Sequence, residues 1–193
     1  MKKILLLFSI LILFAGNVYT KVITTFLGIP IDGTKIEMKR KLVAKGFRYV
    51  KGEDFLRGEF NGTEVNLYVV TNKNKVWRIM VINEEPIADI SQVRIRYNLL
   101  IKQFSNSNKY YPFDDEKDYT IPINEDISKK IDLDPAHYMV NYHQLTKIKS
   151  ETPTEDLLNR RVWININKVE DLELYVMPIY FDNLYNMAHG EDL

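Results

Sequence analysis

The chain has 193 residues, with 26 Lys and Arg against 26 Asp and Glu, three His and no Cys. No disulfide framework, thiol nucleophile or thiolate-bound zinc can be built from it, and a zero net charge lacks the basic field that a nucleic-acid coat requires. With 46% hydrophobic and 12% aromatic residues it is too apolar for disorder.

Lys2 and Lys3 precede an apolar run, Ile4 to Ala15, interrupted only by Ser9. A spanning helix needs about 20 such residues, whereas a charged start, a short apolar core and small residues behind it compose a secretory signal. Cleavage is expected after Ala15, Gly16 or Thr20, and an uncleaved N-terminal anchor is the alternative. Without cysteine, no lipid can be attached at the cleavage site. The organisation expected is a signal over 1–20 and one domain over 21–193, with halves near 21–86 and 87–193. Loss of 1–20 strips Lys2 and Lys3 and no acid, so the remainder holds two more acids than bases. An exported domain without disulfides must rely on packing, which suits a bacterial periplasm or a secreted bacterial protein. It would be soluble after cleavage, with no transmembrane helix in the mature chain.

Val22 to Ile31 is β-branched and aromatic and predicts a short strand with Pro30 near its end. Thr34-Lys35-Ile36-Glu37 has capping-box spacing, so a helix is expected from Lys35 to about Lys45, closed by Gly46. Four β-type runs follow, Phe47–Val50, Phe55–Phe60, Glu64–Thr71 and Val76–Asn83. Asn61-Gly62 marks a tight hairpin because both residues tolerate positive φ. The runs predict an antiparallel meander, ended by Pro86.

Asp89-Ile90-Ser91-Gln92 reads as a second capping box and opens a helix whose stripe of Val93, Tyr97, Leu100, Ile101 and Phe104 keeps helical period. That stripe, Leu100 included, is expected under the sheet, with Arg94 off it. Residues 105–135 are broken by prolines, and Asp114 to Asp134 holds eight acids and three lysines; this reads as an irregular acidic excursion with fragments of strand. Strands are expected to resume at Tyr138–Ile148, Arg161–Asn167 and Glu173–Phe181, with Pro178 placing the last at an edge or at a bulge. The tail from Asp182 should form one helical turn or fray. The fold class is therefore α+β, two helices packed on antiparallel meander sheet, and the order hints at a duplicated helix-plus-meander unit, with Val76-Trp77 and Val162-Trp163 as the suggested counterparts.

Catalytic motifs are sparse. No G-x-S-x-G elbow, no H-E-x-x-H and no phosphate-cradling glycine pattern occurs. Asp114-Asp115-Glu116-x-Asp118 offers oxygen ligands for calcium but lacks the EF-hand glycine and terminal Glu. Lys35, Lys39, Arg40, Lys41 and Lys45 crowd the first helix, with Glu37 and Lys41 at i, i+4, and read as a solvated face. No catalytic residue, cofactor or metal ligand is assigned.

The run Phe26-Leu27-Gly28-Ile29-Pro30-Ile31-Asp32-Gly33-Thr34, with Lys45-Gly46-Phe47 after the first helix, resembles uncharacterised exported proteins of Gram-negative gut anaerobes that share an F-x-G-I-P-I-D-G-T opening. Leu56-Arg57-Gly58-Glu59-Phe60 and Tyr180-Phe181-Asp182-Asn183 also resemble that group. The resemblance implies no activity. The layout is similar to β-lactamase-inhibitory proteins and small outer-membrane assembly lipoproteins, an analogy of fold alone. The function expected is an exported, non-catalytic module that binds an unknown macromolecule at the envelope or outside the cell. The alternatives are a carboxylate-dependent envelope hydrolase and an N-terminally anchored structural component. The candidate interaction surface consists of the outward strand positions Tyr68, Arg78, Trp163 and Tyr175, because large aromatics and Arg dominate binding hot spots.

Overall fold

The structure, a computed structural model, describes residues 22–145, 155–169 and 172–189. The signal or anchor over 1–20, and the end of the run expected to reach Ile148, lie outside the described residues. Two very short strands, β1 (Thr25–Phe26) and β2 (Ile29–Pro30), come first, then helix α1 (Lys35–Val43). Strands β3 (Arg48–Tyr49), β4 (Phe55–Phe60), β5 (Thr63–Asn72) and β6 (Lys75–Asn83) follow, and then α2 (Ile90–Ser105). The second half carries β7 (Tyr110–Pro112), α3 (Ile127–Leu133), β8 (Val140–Gln144), α4 (Glu155–Leu158) and β9 (Arg160–Ile164). It ends with β10 (Asn167–Lys168), β11 (Tyr175–Val176), β12 (Ile179–Asn183) and α5 (Leu184–His189).

Local chemistry explains most boundaries. Thr34 caps α1 in a full capping box, its hydroxyl taking the Glu37 amide while Glu37 takes the Thr34 amide. Asp89 also caps α2, but by accepting the Ser91 amide at 2.8 Å and not through the expected capping box with Gln92. Asn61 and Gly62 (φ 54° and 75°) turn β4 into β5, and Lys73 and Asn74 (φ 42° and 66°) turn β5 into β6, so both hairpins use turns that match strand twist. On β4, Gly58 leaves room for Phe47: a Cβ there would lie 2.9 Å from the Phe47 ring.

Eight strands form one sheet in the order β3-β4-β5-β6-β12-β9-β8-β7, every neighbouring pair antiparallel. The order is palindromic. Each half supplies a helix and then four strands of the sheet, and the last strand of each, β6 and β12, meet at the centre. The fold is thus α+β, built on a repeated helix-plus-meander plan. The suggested match of Trp77 with Trp163 does not hold, because β6 corresponds by position to β12 and Trp163 lies on β9.

One face of the sheet is the core. Leu56, Leu67, Ile79, Phe181, Val162 and Val140 point into it, and both α1 (Met38, Leu42) and α2 (Val93, Tyr97, Ile101, Phe104) bury their apolar stripes there. Tyr97 donates its hydroxyl to the Tyr138 carbonyl at 3.0 Å, and burial drives its pKa far above the usual phenol range. Leu100 departs from the expected stripe: it is only partly buried, at a cleft between α2 and the sheet. Arg94 is not idle either, since it donates to the Glu125 carbonyl at 3.0 Å.

Four further expectations need correction. Val22–Ile31 is a hairpin of two-residue strands, not one strand, because Leu27 and Gly28 both adopt positive φ (50° and 77°) and reverse the chain. The acidic stretch holds a strand fragment as expected, β7, but also a helix that was not, the Asp126-capped α3, which buries Ile127 and Ile131. Glu173–Phe181 is two strands, not one, since Pro178 interrupts it: β11 pairs with β10 in a separate hairpin, and β12 joins the large sheet. That last strand is central rather than at an edge, as Pro178 sits just before it and removes no ladder donor.

Candidate interaction surface

Strand alternation carries every second residue to the face opposite the core. The pairing register lines these residues up in rows. One row runs Phe55, Tyr68, Met80, Tyr180, Trp163 and Asn141 across β4, β5, β6, β12, β9 and β8. The next runs Val70, Arg78, Asp182, Arg161, His143 and Tyr111. Six strands at roughly 4.8 Å spacing make the first row about 24 Å wide. The stripes of α1 and α2 pack on the other side, so most of these side chains remain partly exposed. Around His143 the face is covered: the Phe113 ring stacks on its imidazole at 3.9 Å, and Nδ1 lies 3.3 Å from the Leu157 carbonyl.

At the centre of the rows, Trp163 and Tyr180 are stacked, with ring centroids 3.7 Å apart and planes 11° from parallel. A separation so close to ring thickness places the ring normals along the inter-strand direction, so both rings stand upright on the sheet and turn edges outward. Cations complete the stack. The Arg78 guanidinium carbon lies 4.8 Å from the Tyr180 ring centre and 5.3 Å from that of Trp163, and Arg161 lies 5.2 Å from Trp163. Phe55 packs against Tyr68 at 5.3 Å and takes the Arg57 guanidinium at 5.7 Å.

Beneath this layer Asp182 is completely buried. Its carboxylate accepts Nε of Arg78 at 2.6 Å, a terminal nitrogen of Arg78 at 2.8 Å and Nε1 of Trp163 at 2.9 Å. Its backbone carbonyl accepts the Thr24 hydroxyl, which ties the β1–β2 hairpin to the sheet. The following residue, Asn183, points into the core and donates to the Ile31 carbonyl at 2.9 Å. With both oxygens bonded and none open to solvent, Asp182 holds Arg78 and Trp163 in place and cannot meet a substrate.

Three of the four sequence-derived residues lie on this face. Arg78 and Trp163 share the Asp182 carboxylate, and Tyr68 sits in the Trp163 row three strands away, about 14 Å at ordinary strand spacing. Tyr175 does not belong to it. That side chain is 1% exposed, and its hydroxyl lies between the Ser128 hydroxyl and the Glu173 carboxylate. Burial raises its pKa. Its strand belongs to the β10–β11 hairpin, not to the large sheet. The outward aromatic of the region is Tyr180, whose signal in the sequence is the alternation Ile179-Tyr180-Phe181-Asp182 after Pro178. Met80, Phe55 and Arg161 are further members, placed on the face by the pairing register of β4, β6 and β9.

The titratable groups elsewhere serve local structure. Hydrogen bonds from Thr34 hold Glu37 below the ordinary carboxylate range, Lys35 and Lys39 do the same for Asp54, the Thr120 amide and hydroxyl for Asp118, and Lys168 for Glu173. These are caps, turns and surface ion pairs, and a lowered carboxyl is unsuited to proton donation near neutral pH. Tyr142, packed under Phe104, has its hydroxyl pushed up to about 12 by burial. Among the described residues no three His, Cys, Asp or Glu converge on a point where a metal could sit, and no helix is long and apolar enough to cross a membrane. No protein-family model, curated protein or solved structure matches the chain.

Proposed function

We propose that the chain is an exported, non-catalytic binding module that docks another protein through the outer face of its eight-stranded sheet. The observation that carries this reading is the buried Asp182 carboxylate, which fixes Arg78 and Trp163 at the centre of a partly open aromatic row. Side chains ordered in advance lose less entropy on binding, and Trp, Tyr and Arg are the residues that concentrate interface energy. Upright rings whose faces are spent on each other favour a partner that packs against ring edges, as protein side chains do, over a sugar that needs an open ring face. Of the cations on the face, Arg57 is paired with Glu84 and Arg78 with Asp182, which leaves Arg161, hydrogen-bonded to Asn141, to favour an acidic group on the partner. Export rests on the charged and apolar segment Met1 to Thr20 and is supported by the resemblance of residues 26–47 to exported proteins of Gram-negative bacteria.

The test is photocrosslinking in the native cell, with a benzophenone amino acid at Tyr68 or Met80 on the outer face and at Ile36 on α1. One discrete acidic partner crosslinked from the first two positions and absent from the third is the expected result. Equal crosslinking from all three, or none from the outer face, contradicts the reading. The mass of the native N-terminus tests export, and an intact Met1 on a membrane-retained chain would overturn it.

A further inference from the structure

The helix layer on the core side of the sheet carries a charge that the whole chain lacks. Helix α1 holds four bases and one acid, and α2 three bases and no acid, in a chain of zero net charge. Part of that charge is used locally. Lys35 and Lys39 pair with Asp54, Arg94 donates to the Glu125 carbonyl, and Glu37 serves the Thr34 cap. Arg40, Lys41, Arg96 and Lys102 are exposed and form no ion pair or hydrogen bond among the described residues. Each helix also has a second apolar stripe, opposite the buried one. Ile36 and Val43 on α1 and Ile95 and Leu99 on α2 are between 37% and 71% exposed. Arg40 completes the first stripe and Lys102 the second, so both helices show two aliphatic side chains and one cation at i, i+4 and i+7. Because α1 and α2 bury their inner stripes in one core, the outer stripes look away from the sheet on the same side of the molecule.

We propose that this helical face docks on an anionic phospholipid bilayer, with the four aliphatic side chains entering below the phosphates and the four free bases lying at them. Interfacial helices insert apolar side chains at the boundary of headgroups and acyl chains, while Lys and Arg hold anionic lipid. The pattern fits other occupants less well. The core of a protein interface is depleted of charge, whereas here a cation stands within each apolar stripe. A second copy on the same face would set bases against bases. Single-stranded nucleic acid stacks on aromatic rings, and the outer stripes have none. The face lies opposite the Trp163–Tyr180 row and leaves that row open to a protein partner, so the proposal is independent of the docking surface.

The chain has no cysteine, so Ile36→Cys, Leu99→Cys and Tyr68→Cys each carry a polarity-sensitive nitrobenzoxadiazole dye at one known place. The probes are vesicles of phosphatidylcholine, alone or mixed with an equal part of phosphatidylglycerol. Dye at positions 36 and 99 should shift to the blue on the mixed vesicles, dye at position 68 should not, and phosphatidylcholine alone should shift none. Added to a labelled chain, Arg40→Gln or Arg96→Gln should raise the lipid concentration for half-maximal shift about fivefold, the loss of one base near an anionic surface. Retention through residues 1–20 alone would leave all three dyes unshifted and refute the proposal. An equal shift at position 68, equal shifts on phosphatidylcholine, or no effect of either Arg substitution would also overturn it, as would tighter binding to polyglutamate or duplex DNA than to the mixed vesicles. Should a labelled variant fail to fold, cosedimentation of the unlabelled chain decides. Arg40→Gln with Arg96→Gln must then weaken binding to the mixed vesicles, and unchanged binding refutes the face.

Discussion

Arg78 and Asp182 form a two-pronged ion pair across the central strands β6 and β12, at 2.6 and 2.8 Å, with the base 21% exposed and the acid not at all. Removing one member of a buried pair strands the other charge and typically costs about 3–5 kcal/mol. Arg78→Met and Asp182→Leu should each destabilise by about that amount in urea melts. The double variant should recover much of the loss, because neither charge is then unpaired. Additive losses would show that the pair is not coupled.

Trp163→Phe keeps a ring for the Tyr180 stack but removes the indole donor to Asp182. A loss of about 1.5–3 kcal/mol is expected from one charge-assisted hydrogen bond, with Trp163→Ala costing more because the stack goes as well. Both shift the melting point, so neither is a clean probe of binding, and positions such as Tyr68 serve better.

Gly58→Ala places a methyl group 2.9 Å from the Phe47 ring. Overpacking of this kind costs about 1–3 kcal/mol, which should outweigh the entropic benefit of replacing a glycine. A thermal melt at or above the wild-type midpoint would mean that Phe47 moves aside without penalty.

His143 gives a pH dependence of defined sign. Burial lowers its pKa from the ordinary 6.5, and Arg160 adds to that, while the Leu157 carbonyl opposes it in part. The unfolded chain therefore takes up a proton before the folded one does. The stability tied to this site is complete above pH 6.5 and declines as pH falls from there through the lowered folded value. Wild-type stability should drop more steeply over that window than that of His143→Phe, which retains a ring against Phe113. Parallel curves would remove His143 as the cause.

The parts of the fold legible in the sequence are those written in short-range chemistry. The Thr34 and Asp89 caps, the Asn61-Gly62 turn and the alternation of Val65, Leu67 and Val69 each have a local physical cause that the structure bears out. Where local signals conflict, the sequence is a poorer guide. Leu27 takes a positive φ that its side chain disfavours, so nothing in Val22–Ile31 announced a hairpin. Pro178 marks one strand by its local chemistry alone, while in the fold it separates two strands that belong to different sheets. The outer rows were only partly visible because Tyr68, Arg78 and Trp163 are brought together by pairing across strands distant in sequence. The buried Asp182 that connects two of them is an acid in a strand, a type that propensity places at the surface.

The most direct test of the docking face is the affinity of the crosslinked partner for two purified variants, Tyr68→Glu on the outer row and Ile36→Glu on the exposed side of α1, each checked by thermal melt. Tyr68→Glu should weaken binding at least tenfold, as the loss of one hot-spot side chain does, with the fold intact, while Ile36→Glu binds as the wild type does. Unchanged affinity in Tyr68→Glu, or an equal loss in Ile36→Glu, would contradict the account.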